Sequence, residues 1–397
     1  MRAAFLPPMM VAHSYVEARV IVQAFLRWSE KAGSSERAKA AHMLGRAYLQ
    51  STMAREQRDA AYMAMTYLLD DPSPRVRLAL AEALADADDA PRAVVVSLAE
   101  DQPEIACTVI ARSPVLAEGD LVDLAGRGDS ITRSFIAARQ ELSRGVCAAL
   151  AEIGDLPETL ILLENETSPV TPFSLRRIAE RHGDNADIRD LLLQRDNLPA
   201  DARHLLMERV SEALAGSALV HGLIARGRVE NILREAADSG TILIAASVTP
   251  RDMPALVEHL RQKEELTPAL LVHAISSGRL EFFTAAMVNL SGLDERKVRS
   301  MLATARPHAL KALFQSVGLF GDVAAVFIKA TMLWRGAAQS HAPDAATSVS
   351  TKLLAHFKDV DGSETFLDLL HAIRRLALAE QRQHARNYAR SIALEAA

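Results

Sequence analysis

Aromatic rings, cysteines and long apolar runs are scarce in this chain, and each scarcity excludes something. Aromatic residues make up 5% of the 397 positions, with two tryptophans. No window approaches the ~20 continuous apolar residues of a membrane span, so no bilayer-crossing helix is expected. The two cysteines, Cys107 and Cys147, lie inside apolar helical patterns without metal-ligand spacing. They fit a reducing cytoplasm. A formal net charge of -5 gives no whole-chain attraction to nucleic acid or anionic membrane. The opening "MRAAFLPPMMVAHS" has a short apolar run, but Pro7 and Pro8 interrupt it and "VEARVIVQAFLRW" continues as an amphipathic helix. A cytoplasmic protein is expected, not a secreted one.

Catalytic patterns are missing too. The twelve histidines are dispersed, with no H-E-x-x-H and no Cys-His zinc spacing. "AGRGDS" (125–130) has two glycines but no phosphate-loop lysine, and its "RGD" reads as an inter-helix turn. No G-x-S-x-G elbow exists. The acidic pairs Asp70–Asp71 and Asp88–Asp89 fall at helix boundaries, where turn formation and capping explain them. No catalytic, cofactor-binding or metal-binding residue is assigned, and no cofactor is expected.

What is present is helical periodicity, almost throughout. The best strand candidate, "TILIAASV" (Thr241 to Val248), is isolated between helices and reads as a buried helix. Helices are short and punctuated: 34–50, 53–70 ending at "DDPSP", and 75–86 with Val76, Leu80, Ala83 and Leu84 on one face. Pairs follow at 91–100 with 104–112, 117–126 with 130–139, 142–153 with 156–164, 172–182 with 186–194, and 199–213 with 216–226. "VIARSPVL" (109–116) returns as "FIAARQEL" (135–142) and more loosely as "LLQRDNLP" (192–199) and "LIARGRVE" (223–230). The closing residues Arg112, Arg139, Asn165, Arg195 and Arg226 are 27, 26, 30 and 31 residues apart. Such a step holds two helices of roughly ten residues and two tight turns. One hairpin cannot bury its apolar stripe alone, so the pattern predicts an all-α α-solenoid of antiparallel pairs. An arginine there can serve the negative, unpaired end of its helix, or can stand in a row facing an anionic partner.

From about residue 229 the rhythm changes. Thr249, Pro250 and Asp252 read as a capping box, and Thr267 with Pro268 repeats the device, with Gly278 as the left-handed stop. Helices are expected at 280–290, 294–304, 308–317 and 322–335. The chain thus divides into an N-terminal helix (1–33), helical repeats (34–228), a second helical-repeat region (229–335), a linker (336–350) and C-terminal helices (351–397).

"LLDDPSPRVRLALAEALA", "VIARSPVLAEGDLVDLA" and "LTPALLVHAISSGRLEFFTAAMVNLSGL" together resemble a bacterial, alphaproteobacterial family of HEAT-like proteins that is a domain of unknown function. The resemblance spans roughly residues 20 to 335. It implies divergent HEAT-like repeats and supplies no catalytic residues. In HEAT proteins an aspartate and a basic residue six positions later often form a ladder between repeats. Asp71 and Arg77 match, but Asp101 is followed by Cys107, so the ladder is not expected to be sustained.

Two surfaces are candidates for contact. Arg75, Arg77, Arg133, Arg139, Arg176, Arg177, Arg181 and His182 can form a basic stripe on second helices, or simply a solvated face; Glu82, Glu104 and Glu180 intervene. The terminal helix carries Phe366, Leu369, Ile373, Leu376 and Glu380 at near-heptad spacing, then Arg374, Arg375, Arg382, Arg386 and Arg390. It can cap the stack, pair with itself in a homodimer, or touch an acidic partner. The preferred reading is a non-enzymatic scaffold binding a protein partner. The alternative is a nucleic-acid-binding protein, glycosylase-like included, which needs a basic groove with stacking aromatics. Trp28 and Trp334 both lie in amphipathic helices, where packing explains them.

Overall fold

The computed structural model describes residues 23–50, 53–217, 225–340, 349–358 and 360–395. Every regular element among them is a helix, and "TILIAASV" lies inside one. No described helix is long and apolar enough to cross a membrane. The chain splits into two compact units, Met1–Asn197 and Leu198–Ala397.

In the first unit, α1 covers 23–29. It is followed by α2 (Ser34–Gln50), α3 (Arg55–Leu68), α4 (Pro74–Leu84), α5 (Arg92–Ala99), α6 (Pro103–Arg112) and α7 (Glu118–Arg127). Then come α8 (Ser130–Ala137), α9 (Arg144–Ile153), α10 (Leu156–Glu164), α11 (Pro172–His182) and α12 (Ala186–Leu193). Side chains of Asp129, Ser143, Thr171 and Asn185 accept from amides of the first turns of α8, α9, α11 and α12. Prolines sit in the first turns of α4, α6 and α11, where no amide partner is lost.

The hairpins stack in chain order. Helices α2, α4, α6, α8, α10 and α12 pack successively in one row, and α7, α9 and α11 in a second. Between the rows lies an aliphatic core that includes Leu80, Ile105, Ile110, Ile136, Leu150, Leu162, Ile178 and Ile188. No phenylalanine is buried among this unit's described residues, so its helices approach closely. At the α2–α4 contact, a Cβ on Gly45 would lie 2.8 Å from that of Ala83.

The recurring arginine has a structural role, but not the local one. Arg139 lies two residues beyond α8 and donates to the carbonyls of Ile110 and Ser113 (2.8 Å for the latter), at the end of α6. Asn165 donates to Ala137 and Arg139 carbonyls at 2.9 and 2.7 Å, and Arg195 to Leu163 and Asn165 carbonyls at 2.5 and 3.3 Å. Arg112 pairs with Asp86, just past α4. Each mark therefore closes the hairpin before it rather than its own helix. The side chain of Arg226 lies outside the described residues.

The aspartate ladder runs one rung further than expected. Arg37 bonds Asp71 at 2.7 Å, and Arg77 bonds Asp101 at 2.6 Å while donating to the Asp71 carbonyl at 2.6 Å. It stops there because position 107 is a buried cysteine.

The second unit begins with α13 (Ala200–Ala215), which packs on α14 (Arg226–Ser247) and α15 (Met253–Gln262). The division therefore falls at 197/198 and not at 228/229. The helix expected over 216–226 falls mainly on 218–224, which lie outside the described residues; Gly216, Ser217 and Ala225, which flank that gap, are non-helical. Then follow α16 (Pro268–Ser276), α17 (Leu280–Ser291), α18 (Glu295–Thr304), α19 (Pro307–Ser316), α20 (Gly321–Ser340), α21 (Val349–His356) and α22 (Glu364–Glu395). The expected linker is shorter than 336–350, since α20 continues to Ser340 and α21 starts at Val349. Residues 341–348 lie outside the described residues.

All the buried phenylalanines among the described residues lie here. Phe283, Phe314 and Phe327 form a triangle with centroids 5.7–6.3 Å apart, and Phe357 meets Phe366 edge-on at 5.7 Å. Gly278 has φ +73°, and the Arg279 amide closes onto the Ala274 carbonyl at 2.9 Å, the left-handed stop expected there. A Cβ on Gly278 would sit 2.7 Å from the Trp334 ring, which packs against it.

Candidate functional site

Seven of the eight residues of the predicted basic stripe are engaged within their own unit. Arg77 and Arg139 are engaged as described above. Arg133 donates to the Ala125 carbonyl at 2.9 Å and lies 3.7 Å from the fully buried carboxylate of Glu158. Arg176 and Arg177 pair with Glu180 at 3.1 and 3.3 Å, and Arg177 also holds Glu152 at 2.6 Å. Arg181 donates to the Ala151 and Gly154 carbonyls at 3.0 and 2.8 Å, and His182 Nε2 lies 3.0 Å from the same Gly154 oxygen. Arg75 alone of the eight is exposed without such a contact. The charges of Arg77, Arg133, Arg176 and Arg177, paired with carboxylates, largely cancel beyond their immediate surroundings, whereas Arg139 and Arg181 keep their charge but direct it onto backbone carbonyls.

In the terminal helix, Phe366, Leu369, Ile373 and Ala377 are buried within the second unit, against neighbours that include α16, α20 and α21. Leu376 and Glu380 are half-buried. Its apolar stripe is thus already covered over this first half. Arg375 pairs with Glu235 at 2.9 Å, whereas Arg374, Arg382 and Arg386 are exposed. The side chain of Arg390 lies outside the described residues.

The first unit does expose an apolar cleft of about 540 Å³ between α6 and α8. Pro103, Cys107, Ala111, Ile131 and Phe135 line it, with Glu104 and Arg112 also at its walls. Ile131 is 52% and Phe135 39% exposed, on a row whose other apolar side chains mostly face inward. Burial pushes both cysteine thiols up, Cys147 to about 11, so neither is an activated nucleophile.

In the second unit the fold assembles a polar cluster that no local motif announces. His204 and Glu208 lie one turn apart on α13 and so share a face. That face meets α15, which carries His259, and the turn after it, which carries Lys263 and Glu265. His204 is 2% exposed, and its Nε2 stands 3.2 Å from Glu265 Oε2. Its Nδ1 has no hydrogen-bond partner; the nearest Glu208 oxygen is 3.9 Å away. The His259 ring lies edge-on to that of His204, with centroids 5.4 Å apart. One donor atom each from His204, Glu208 and His259 falls within 4.8 Å of the others. Lys263 Nζ bonds Glu208 beside them.

The turn that delivers Glu265 is itself unusual. Glu264 holds φ +60°, a left-handed position that glycine normally fills, and the Glu265 amide bonds back to the Leu260 carbonyl at 2.9 Å. Burial depresses His204 to about 4, so its imidazole is neutral at ordinary pH. Burial and the facing Glu208 raise Glu265. Glu208 is also raised by burial, but hydrogen bonds from Lys263 and Glu265 hold it below its ordinary value. Two imidazoles and a carboxylate around one point are donors suited to a metal ion or to a shared proton. No metal ligand is expected from the sequence alone. The signal available was "HLLME" (204–208), a His and Glu at helical spacing, but His259 lies 51 residues further on.

A smaller cleft of about 90 Å³ between α14, α16 and α22 is lined by Asp238, His273, Glu235 and Arg375, among others. Burial raises Asp238 to about 6 and lowers His273.

No curated protein and no solved structure matches this sequence. The family described as "uncharacterised protein conserved in bacteria (DUF2336)" matches residues 105–361, a span that starts in α6 and ends in the turn before α22. That is well over half of the chain, and the chain belongs to this family of bacterial proteins.

Proposed function

We propose that this protein is a non-enzymatic, cytoplasmic helical-repeat scaffold, its pairs divergent HEAT-like repeats, which takes an apolar segment of a protein partner into the α6–α8 cleft. The observation that carries this reading is the exposure of Ile131 and Phe135 together over that cleft. Aromatic and aliphatic anchors in a concave, partly desolvated setting are the usual centres of protein recognition. Stacked hairpins add shallow contacts along the row.

The nucleic-acid alternative is less well supported. It needs several unpaired cations along one groove. Here Arg77, Arg133, Arg139, Arg177 and Arg181 are engaged by carboxylates and carbonyl oxygens of their own unit. A homodimer through α22 would have to use side chains outside its buried stripe, such as the exposed Leu367, Leu378 and Tyr388.

The test is affinity capture from native lysate with wild type, Ile131→Asp and Phe135→Asp. The reading requires a discrete protein that is lost with either substitution, kept by Arg176→Ala, and bound again when purified. Salt-sensitive retention of DNA, abolished by replacing Arg176, Arg177 and Arg181, would favour the alternative instead.

A further inference from the structure

We propose that His204, Glu208 and His259 form a binding site for one divalent transition-metal ion of the zinc or cobalt class, which ties α13 to α15. The site is separate from the α6–α8 cleft and independent of what that cleft binds.

Three features carry the assignment. First, the donor set is right. Two imidazoles and one carboxylate suit zinc and its neighbours, whereas calcium and magnesium prefer all-oxygen cages. Second, the positions nearly fit. Donors around one ion at about 2.0–2.2 Å lie roughly 3.3–4.2 Å apart. The three atoms here lie within 4.8 Å of one another and the His204–Glu208 pair is at 3.9 Å, so small side-chain rotations close the set.

Third, the outer contacts are those of a ligating histidine. The Glu265 carboxyl stands 3.2 Å from His204 Nε2, while the other ring nitrogen, Nδ1, has its nearest Glu208 oxygen 3.9 Å away. A carboxylate behind the imidazole is the standard way to orient such a ligand. Nδ1 belongs to a side chain only 2% exposed and has no hydrogen-bond partner in the protein. A buried imidazole nitrogen without a donor is costly unless something electrophilic meets it.

Lys263 explains how the cluster is held without an ion. Its ammonium neutralises Glu208, and its side chain is 35% exposed, so it can swing into solvent when a dication takes over that carboxylate. Glu208 and His259 are only half-buried, so the cluster lies close to the surface of its unit.

The experiment uses the full chain, stripped with chelator and titrated with CoCl2 while visible d–d absorption is followed. Melting is recorded in parallel with ZnCl2, MgCl2 or CaCl2. The proposal expects one Co2+ per chain, displaced by Zn2+, and a higher melting temperature with Zn2+ but not with Mg2+ or Ca2+. His259→Gln and Glu208→Gln should abolish the Co2+ spectrum. Glu265→Gln should weaken binding roughly 10–100-fold as a positioning residue. His273→Gln, outside the cluster, should leave it unchanged. His204 is the most buried ligand, so the test uses His259→Gln and Glu208→Gln in its place, with circular dichroism confirming the fold. Absence of stoichiometric Co2+ uptake by the folded wild type overturns the site. So does uptake that persists unchanged in both ligand variants.

Discussion

Arg139 and Ser113 are joined across two hairpins: the guanidinium at the end of one donates at 2.8 Å to the last carbonyl of the one before, and it reaches the Ile110 carbonyl as well. Burial pushes the Arg139 guanidinium down, the mark of a cation drawn out of water to meet backbone oxygens. Arg139→Ala should leave those carbonyls unsatisfied and cost about 1–3 kcal/mol in chemical denaturation. Arg176→Ala, which removes an exposed pair on one helix, should change stability by less than about 0.5 kcal/mol. Equal effects for the two would argue against the inter-hairpin role.

Close approach of α2 to α4 rests on Gly45. A valine there would drive a side chain into Ala83, which has no flexible end to move aside. Gly45→Val should destabilise by about 1–3 kcal/mol, read from the urea midpoint. Gly33→Ala, where an added Cβ meets nothing within 4 Å, is the control.

The Arg37–Asp71 rung gives a pH dependence of known sign. Burial alone would raise Asp71, but the bonds from Arg37 and from the Ser73 amide more than reverse this and hold the carboxyl below its ordinary value. A depressed folded pKa contributes stability that is present above the unfolded value and is lost as pH falls through the folded one. Stability of the wild type should therefore fall below roughly pH 4 more steeply than that of Arg37→Ala. Parallel acid limbs for the two proteins would refute this.

Glu264 occupies a left-handed conformation at φ +60°. Glu264→Gly removes that strain and should stabilise the protein by up to about 1 kcal/mol, seen as a higher melting temperature. A lower one would mean that the Glu264 side chain contributes more than its backbone costs.

Much of the helical plan was legible because its signals are local. Thr267 accepts from the Leu270 amide and Pro268 opens α16, as their order in the chain suggests. Thr249 shows how a local signal slips. Its hydroxyl bonds the Asp252 carboxylate instead of an amide, the turn 249–252 precedes the helix, and α15 starts at Met253. The linker starts later than expected because "GAAQS" is rich enough in alanine to extend α20 to Ser340.

What stayed hidden needs two distant segments at once. The arginine mark was visible, but its acceptors lie 26 to 29 residues earlier for Arg139 and only stacking reveals them. The basic stripe looked available because Glu152 and the Gly154 carbonyl, which engage Arg177 and Arg181, sit on the preceding hairpin. Likewise His204 and Glu208 are neighbours in sequence, while His259 joins them only when α13 packs on α15. Side-chain pairings within one turn can be read from a string of letters; those between turns wait for the fold.

The backward reach of Arg139, Asn165 and Arg195 gives construction of the first unit a direction. As the chain leaves the ribosome, the end of α6 stays hydrated until Arg139 emerges, and the end of α8 until Asn165 follows. Each newly made segment thus seals its elder, and a truncated product always carries one unsealed edge at its growing tip.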